Sequence, residues 1–195
     1  MNKQGKITPS GFADMMTRGR GANDEFGETA KKYAMRIALE RLGVEIPEVE
    51  AWAMQHGNAM EPYAIQAYKM HTGFEVIDNL QPIQHPSILY IAGTPDGLVG
   101  DDGILEVKCP YNPVNHLMNL KSGEQIAQYK WQIQGYLWIT NRQWCDFVSY
   151  DDRFPDELQL YIQRIERAQI MIDELHERAA KFEILINSIL EGIIK

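Results

Sequence analysis

The stretch from Phe74 to Lys108 lies between two long segments of helical pattern, and this order of segments constrains the fold more than any other feature. Within the stretch, short runs rich in β-branched and aromatic residues alternate with Pro, Gly and Asp, which predicts an antiparallel sheet. On both sides of it, apolar residues recur at helical spacing. A chain of 195 residues can bury a core of its own, so we expect one α/β domain over residues 1–195.

The apolar pattern also predicts the remaining elements. Gly43, Gly73 and Gly123 are expected to end or interrupt helices. Two apolar runs, over 144–151 and 158–166, predict strands, and an amphipathic helix is expected from Arg167 onward. The other helices are predicted over 24–42, about 47–71, from about 113 to 123, and 124–140.

The charge distribution bears on the class of partner. The formal net charge is −8, and because DNA-binding domains are usually basic, the total argues against a nucleic-acid partner. However, residues 43–127 carry 3 basic and 11 acidic side chains, whereas residues 1–42 carry 8 basic and 5 acidic ones. The acid excess therefore belongs to the middle segment, where bound cations would offset it.

Cysteine content and hydropathy exclude several classes of protein. Cys109 and Cys145, the only cysteines, form no CxxC pattern, so no zinc cluster, iron–sulfur cluster or disulfide framework is expected. The first residues lack the apolar region of a signal peptide, and no stretch approaches the roughly 18 apolar residues of a membrane span. We expect a cytoplasmic protein with no membrane partner.

The sharpest chemical feature is the sequence TPDG at 94–97, followed by EVK at 106–108. Strand side chains alternate, so Glu106 and Lys108 share one face while Val107 points away. If the turn sets a register in which Asp96 faces Glu106 and Thr94 faces Lys108, opposed Cβ atoms lie roughly 4.5–5.5 Å apart. Two carboxylates that close need a cation between them, and oxygen ligands suit Mg²⁺ or Mn²⁺.

A purely structural interpretation of the same residues stays open. Pro-Asp-Gly is a common turn sequence, and the strand after it could simply expose Glu and Lys to water. A shift of the register by one residue would also place Asp96 on the other face of the hairpin.

Three further segments accompany TPDG and LEVKCP. They are HGNAME at 56–61, YKWQIQGYLWIT at 129–140 and ITPS at 7–10. Together these motifs resemble the lambda exonuclease or YqaJ-type viral recombinase family, the alkaline exonucleases of phages and prophages, within the PD-(D/E)xK nuclease superfamily. TPDG and LEVKCP resemble the core motif of the superfamily, and HGNAME resembles the family's helix with a further metal-binding glutamate, here Glu61. YKWQIQGYLWIT resembles its YxxQxQ helix, and ITPS resembles its N-terminal segment, whose serine lies by the terminal phosphate.

The resemblance implies a restriction-endonuclease-like fold, with a mixed central sheet flanked by helices, a helical N-terminal region and a C-terminal helix. It also implies a deoxyribonuclease that uses Mg²⁺ or Mn²⁺, two ions per site. Lys108 would orient the attacking water, and Gln132 would bond that water or the scissile phosphate. The implied metal ligands are Asp96, Glu106, Glu61 and the main-chain carbonyl of Val107.

The family further implies digestion of one strand of linear double-stranded DNA, 5′→3′ from a 5′-phosphorylated end, leaving a 3′ overhang. Implied partners are the DNA end, two further copies in a ring-shaped homotrimer, and a single-strand annealing protein that acts in recombination in the bacterial host cell. The residues implied to bind the DNA or its 5′-phosphate are Ser10, Arg20, Thr94, Tyr129 and Lys3, which stands where the family pattern has arginine.

Each supporting residue also has an ordinary structural interpretation. Glu61 could be a solvated helix residue, Gln132 part of an aromatic core helix, and Ser10 the N-cap of a short helix over 11–16. Arg18 and Arg20 could lie in a solvated loop. Two other functions are alternatives: a PD-(D/E)xK endonuclease that cuts internally, and a catalytically idle DNA-binding module that keeps the fold.

Overall fold

The computed structural model describes residues 2–21, 24–47 and 52–193. Short 3-10 helices cover Pro9–Gly11, Glu124–Tyr129 and Asp156–Leu158. The α-helices are α1 (Phe12–Met15), α2 (Glu28–Arg41), α3 (Trp52–Thr72), α4 (Pro113–Ser122), α5 (Lys130–Thr140) and α6 (Gln169–Ile193). The strands are β1 (Val76–Ile77), β2 (Ile83–Gln84), β3 (Ala92–Gly93), β4 (Gly97–Val99), β5 (Gly103–Lys108), β6 (Trp144–Tyr150) and β7 (Leu160–Glu166).

A mixed five-stranded sheet of order β1-β4-β5-β6-β7 forms the centre of the fold. All neighbours in it are antiparallel except β5 and β6, which pair in parallel. A parallel pair needs a long crossover, and α4 and α5 lie in the connection between these two strands. The predicted mixed sheet with flanking helices and a C-terminal helix is confirmed.

The antiparallel sheet predicted within 74–108 is correct for β1, β4 and β5, but β2 and β3 pair with each other in a separate sheet. The expected strand PSILYIAG is reduced to Ala92–Gly93. The cause lies at His85, whose Nδ1 accepts hydrogen bonds from the amides of Ser87 and Ile88 at 3.2 and 3.1 Å. Since those amides are occupied, the chain turns there before it can join a ladder.

The register between β4 and β5 places Gly97 opposite Leu105, Leu98 opposite Ile104 and Val99 opposite Gly103. Continued by one pair, this is the register that sets Asp96 beside Glu106, as predicted. The one-residue shift that would separate the two acids does not occur.

Two apolar clusters cover the two faces of β5. Ile104 packs into the larger cluster, and Leu105 and Val107 pack into the smaller one against α3. The side chains of β5 therefore alternate between faces as predicted, with Glu106 on the face of Ile104. The larger cluster draws on both ends of the chain, and its members include Ile7, Phe12, Ala34, Leu137, Phe182 and Ile186.

Several helix boundaries differ from the prediction. The helix expected from residue 24 begins at Glu28, because residues before it bond back to the preceding loop, with the Gly27 amide donating to the Thr17 carbonyl at 3.0 Å. The segment 124–140 divides into the 3-10 helix Glu124–Tyr129 and α5. The expected start of α3 near residue 47 cannot be compared over 48–51, which lie outside the described residues. No helix in the described part of the chain is long and apolar enough to cross a membrane.

A buried polar network fastens α3 to the sheet. The hydroxyl of Tyr68, a fully buried residue of α3, donates to Asp146 Oδ2 of β6 at 2.7 Å. Arg164 of β7 donates to both oxygens of the same carboxylate at 2.8 Å, and its guanidinium stacks 3.6 Å from the ring centroid of Trp144. The buried charge of Asp146 is thus paired on both sides, which buried carboxylates require.

Tyr68→Phe is expected to lower the free energy of unfolding by about 1.5–3 kcal/mol, the usual value of a hydrogen bond to a charged group. Urea denaturation followed by circular dichroism measures the change. Tyr161→Phe is the matched control, because its hydroxyl bonds Gln163 at the surface, and it is expected to stay within about 0.5 kcal/mol of wild type. Equal effects of the two substitutions would contradict the role given to Tyr68.

Candidate active site

Asp96 lies directly before β4, where the hairpin brings it to the end of β5. Its Oδ2 accepts a hydrogen bond from the Val107 amide at 2.6 Å. This bond fixes the carboxylate against the neighbouring strand, one residue from Glu106. The Val107 side chain packs on the opposite face, as the sequence predicted. The proposed use of its carbonyl as a metal ligand stays a prediction.

Glu106 is a fully buried acid in the middle of this site. Its Oε1 accepts hydrogen bonds from the ammonium of Lys108 and from Gln132 Nε2, the latter at 2.6 Å. Its Oε2 is also buried, yet no donor among the described residues reaches it. A buried oxygen left without a partner costs about 1–3 kcal/mol, so this atom marks a place where a cation or donor belongs.

The electrostatics of the site reflect crowding of negative charge. Burial and the charge of Glu106 raise the pKa of Asp96 well above its ordinary range. The pKa of Glu61 is raised as well, mainly by burial. The charge of Lys108 lowers that pKa, and the charge of Glu106 raises it further. Burial lowers the pKa of Lys108, but the charges of Glu106 and Asp96 outweigh it and raise that pKa above its ordinary value. One lysine therefore stays protonated among three acids.

The donor set suits a divalent cation, although it is not gathered into a ready metal cluster. In residues 2–21, 24–47 and 52–193, no three His, Cys, Asp or Glu side chains are grouped closely enough to count as one. Glu61 is contributed by α3, a separate element from the hairpin that carries Asp96 and Glu106. Carboxylate oxygens, one of them buried and unpartnered, are nevertheless the ligands that Mg²⁺ and Mn²⁺ prefer.

Tyr129 and Gln132 enter the site from the 3-10 helix and the first turn of α5. The ring centroid of Tyr129 lies 4.8 Å from Lys108 Nζ, and the ring stacks on Phe147 at 5.6 Å. Both residues therefore lie beside the EVK strand, as predicted. The sequence motifs did not point to Tyr136, whose pKa is raised by burial and by Glu106 and which shares a hydrogen bond with Gln132. The signal was its spacing, four residues after Gln132 on the same helix face.

Ser10 does not cap a helix, so that structural alternative is wrong. The caps are Thr8 for the 3-10 helix and Gly11 for α1, and neither makes a side-chain capping bond. Instead, Ser10 Oγ lies 3.0 Å from Thr8 Oγ1, and the Thr8 amide donates to the Tyr33 hydroxyl at 3.0 Å. The adjacent Pro9 packs closely on Gly93, the residue before Thr94.

Lys3 and Arg20 are not brought into this arrangement. Both are exposed, and in the part of the chain that the structure describes no hydrogen bond or ion pair joins either side chain to Asp96, Glu106 or Lys108. The alternative of a solvated loop fits Arg18, which is largely exposed and pairs only loosely with Glu174 at 3.6 Å. Their predicted contacts with DNA stay predictions.

Most of the chain matches a known protein family. The model of the YqaJ-like viral recombinase domain matches residues 2–143. The chain belongs to this family. The resemblance found in the sequence motifs is thereby confirmed.

Three solved structures of two exonucleases resemble the YqaJ-like chain over nearly its whole length. LHK-Exo, an alkaline exonuclease from Laribacter hongkongensis, is 38% identical, with a TM-score of 0.86 over 98% of this chain and 92% of that chain. The complex of LHK-Exo with dAMP gives a TM-score of 0.87. A phage-related exonuclease from Haemophilus somnus 129PT, 19% identical, shares the fold with a TM-score of 0.81 over 96% of each chain.

Another relative is a much longer protein than this chain. Uncharacterized protein R354 of Acanthamoeba polyphaga mimivirus is 27% identical over 136 residues, which cover 64% of this chain and 25% of that protein. This chain thus matches about a quarter of the length of that relative.

The raised pKa of Asp96 predicts how the metal-free YqaJ-like protein responds to pH. A protein with an acid whose pKa is higher in the folded than in the unfolded state loses stability as pH rises. For Asp96 the loss begins near the ordinary pKa of 3.8 and is complete above the folded-state pKa. Asp96→Asn removes that charge but keeps an acceptor for the Val107 amide. Near pH 7 its free energy of unfolding is therefore expected to exceed that of wild type by about 0.5–2 kcal/mol. This difference should vanish toward pH 4.

Urea denaturation in the presence of a chelator, repeated across pH 4–8, measures this difference. Glu75→Gln, at an exposed acid before β1, is the control and should change stability equally little at every pH. A stability gain of Asp96→Asn that did not depend on pH would contradict the explanation by charge.

Proposed function

We propose that the chain is a metal-dependent exonuclease that digests one strand of linear double-stranded DNA from a 5′-phosphorylated end, 5′→3′, and leaves a 3′ overhang. The observation that carries the proposal is the buried, unpartnered oxygen of Glu106 beside Asp96 and the protonated Lys108. A site with this composition needs a cation and then presents a positive group to a phosphate.

The enzyme class rests on the family and on the likeness to LHK-Exo. A chain of the YqaJ-like viral recombinase family that is 38% identical to an alkaline exonuclease is a deoxyribonuclease, and the predicted class is confirmed. Strand polarity, the overhang and the dependence on metal are part of the proposal. So is the extent of the enzyme: we propose that residues 1–195 act as one exonuclease domain, because one apolar cluster joins α1, α2, α5 and α6.

Two ions of Mg²⁺ or Mn²⁺ fit the acid excess of the site. The residues that would hold them are Asp96, Glu106, Glu61 and the Val107 carbonyl. When bound, such cations would neutralise phosphate charge and lower the pKa of a bound water toward about 7. Lys108, kept protonated by its neighbours, would hold and orient the attacking water. Gln132, already a donor to Glu106, would direct its amide at the water or the scissile phosphate.

Recognition of the DNA end is proposed for the surface that joins Ser10 to Thr94. Tyr33 of α2 fixes Thr8, and Thr8 bonds Ser10, so this segment is rigid before any ligand arrives. Tyr129 would contact the same strand from the other side. Arg20 and Lys3, both exposed, would supply positive charge at the approach to the end.

The proposed oligomeric state, protein partner and cellular location rest on the resemblance to the family. They comprise a ring-shaped homotrimer, a single-strand annealing protein as recombination partner, and the cytoplasm of a bacterial host cell. The trimer can be tested by light scattering, and the partner by co-purification.

Lys108→Ala is expected to lower kcat on linear 5′-phosphorylated duplex in Mg²⁺ by roughly 10²–10³-fold, the usual cost of removing one group that stabilises transition-state charge. Lys121→Ala, at an exposed lysine near the end of α4, is the matched control and should keep the wild-type rate. Retention of more than a tenth of the rate in Lys108→Ala would contradict the assignment and favour the idle binding module.

The choice of DNA end distinguishes an exonuclease from an internal cutter. Linear duplex with a 5′-hydroxyl is expected to be digested roughly 10- to 100-fold more slowly than 5′-phosphorylated duplex, because one charged hydrogen-bonding group is lost. Covalently closed circles should stay intact, and a chelator should stop digestion. Product sizes over time give the measurement.

Ser10→Ala should reduce the preference for the phosphorylated end, whereas Ser122→Ala, at an exposed serine that bonds Met118, should leave it unchanged. Cleavage of closed circles would instead support the endonuclease alternative. Equal rates on both kinds of end would remove the phosphate site from the proposal.

A further inference from the structure

Tyr111 is an aromatic side chain held in solvent beside the catalytic residues. It is 58% exposed and follows Lys108, the last residue of β5, by three positions. Three residues of chain span at most about 11 Å, so its backbone lies within a nucleotide or two of the site. Neither the family motifs nor the proposed mechanism assigns it a task.

The backbone of Tyr111 is clamped by a buried acid and an arginine. Arg153 donates to the carbonyls of Tyr111 and Pro110, both at 3.0 Å. The same guanidinium is held by Asp151, which is 3% exposed, through two hydrogen bonds of 2.7 Å. A planar donor group fixed by a carboxylate leaves its remaining hydrogens in fixed directions, so the two carbonyls cannot drift.

The next residue and a neighbouring ring complete the support. The side chain of Asn112 caps α4 by accepting from the Val114 amide at 3.1 Å. The ring of His56 meets the ring of Tyr111 edge-on, with centroids 5.8 Å apart and planes at 79°. His56 belongs to α3, the helix that carries Glu61. The tyrosine ring is thus supported on one side while more than half of the residue stays in water.

A folded chain gains little by fixing a large aromatic residue in solvent, since its apolar surface is not buried. Such a residue next to a nuclease site suits a flat apolar ligand. Resting on the proposed function, we propose that Tyr111 stacks on an unpaired nucleobase of the DNA strand next to the scissile phosphate. Stacking needs only the face of a base, so it serves an enzyme that must accept every sequence from an end.

The test uses four proteins: wild type, Tyr111→Phe, Tyr111→Leu and Tyr111→Ala. Fluorescence anisotropy gives the Kd for a 5′-phosphorylated duplex with three unpaired nucleotides at its end, in Ca²⁺ so that the DNA is not consumed. We expect Tyr111→Phe to match wild type, and Tyr111→Ala and Tyr111→Leu to raise Kd by about 5- to 150-fold. Tyr63→Ala, at a 64% exposed tyrosine two positions past Glu61 and hence turned away from it on α3, should bind as wild type.

A second measurement locates the base. Single abasic nucleotides are placed in turn at the three unpaired positions, and binding is compared in wild type and Tyr111→Ala. One position is expected to weaken wild-type binding and to leave the binding of Tyr111→Ala unchanged. Additive losses at every position would overturn the proposal, because stacking couples one base to one ring.

The outcomes separate this inference from the proposed function. Wild type that binds and digests linear duplex while Tyr111→Ala does so equally well would overturn the inference alone. Binding that survives Tyr111→Leu would also overturn it, since an apolar contact would then suffice without a ring. Wild type that neither binds nor digests DNA would overturn both. An unchanged thermal midpoint of Tyr111→Ala, followed by circular dichroism, excludes misfolding as the cause of a raised Kd.

Discussion

The structure of the site depends on two carboxylates that are held closer together than their charges favour. The register of the β4–β5 hairpin brings Asp96 to Glu106, and the Val107 amide keeps it there. A protonated lysine and one amide occupy a single oxygen of Glu106 and leave the other without a donor. The surrounding core resists any relaxation of this crowding, because β5 is buried on both faces. The repulsion between the two carboxylates therefore lowers the stability of the metal-free protein, and added positive charge in the site would relieve it.

The hairpin could be predicted because its determinants are local. The distance along the chain from Asp96 to Glu106 and the alternation of strand side chains are enough to set the register once a turn is assumed. The parallel pairing of β5 with β6 and the contribution of Glu61 by α3 could not be derived in this way. Both depend on α3, α4 and α5 packing against the sheet, and such contacts join residues far apart in sequence.

The errors in the prediction arose where tertiary contacts override local preference. Residues 124–129 carry no signal that separates them from α5, yet they form a 3-10 helix that places Tyr129 against Lys108 and Phe147. Serine is a common helix cap, but the hydroxyl of Ser10 instead forms a hydrogen bond with Thr8, whose amide is held by the Tyr33 hydroxyl of α2. The apolar run after Pro86 looks like a strand, but the imidazole of His85 takes two of its amides.

The packing of α6 on the N-terminal region has a consequence for the order in which the protein can form. Arg178 of α6 donates to the carbonyls of Met15, Thr17 and Glu25, and Phe182 packs on Phe26 and Tyr33. The N-terminal residues that Arg178 holds are therefore made more than 150 positions before their partner in α6. During synthesis the strands of the sheet, up to β7, are made before α6 can pack on the N-terminal region. The N-terminal region would therefore reach its final packing only after α6 has left the ribosome.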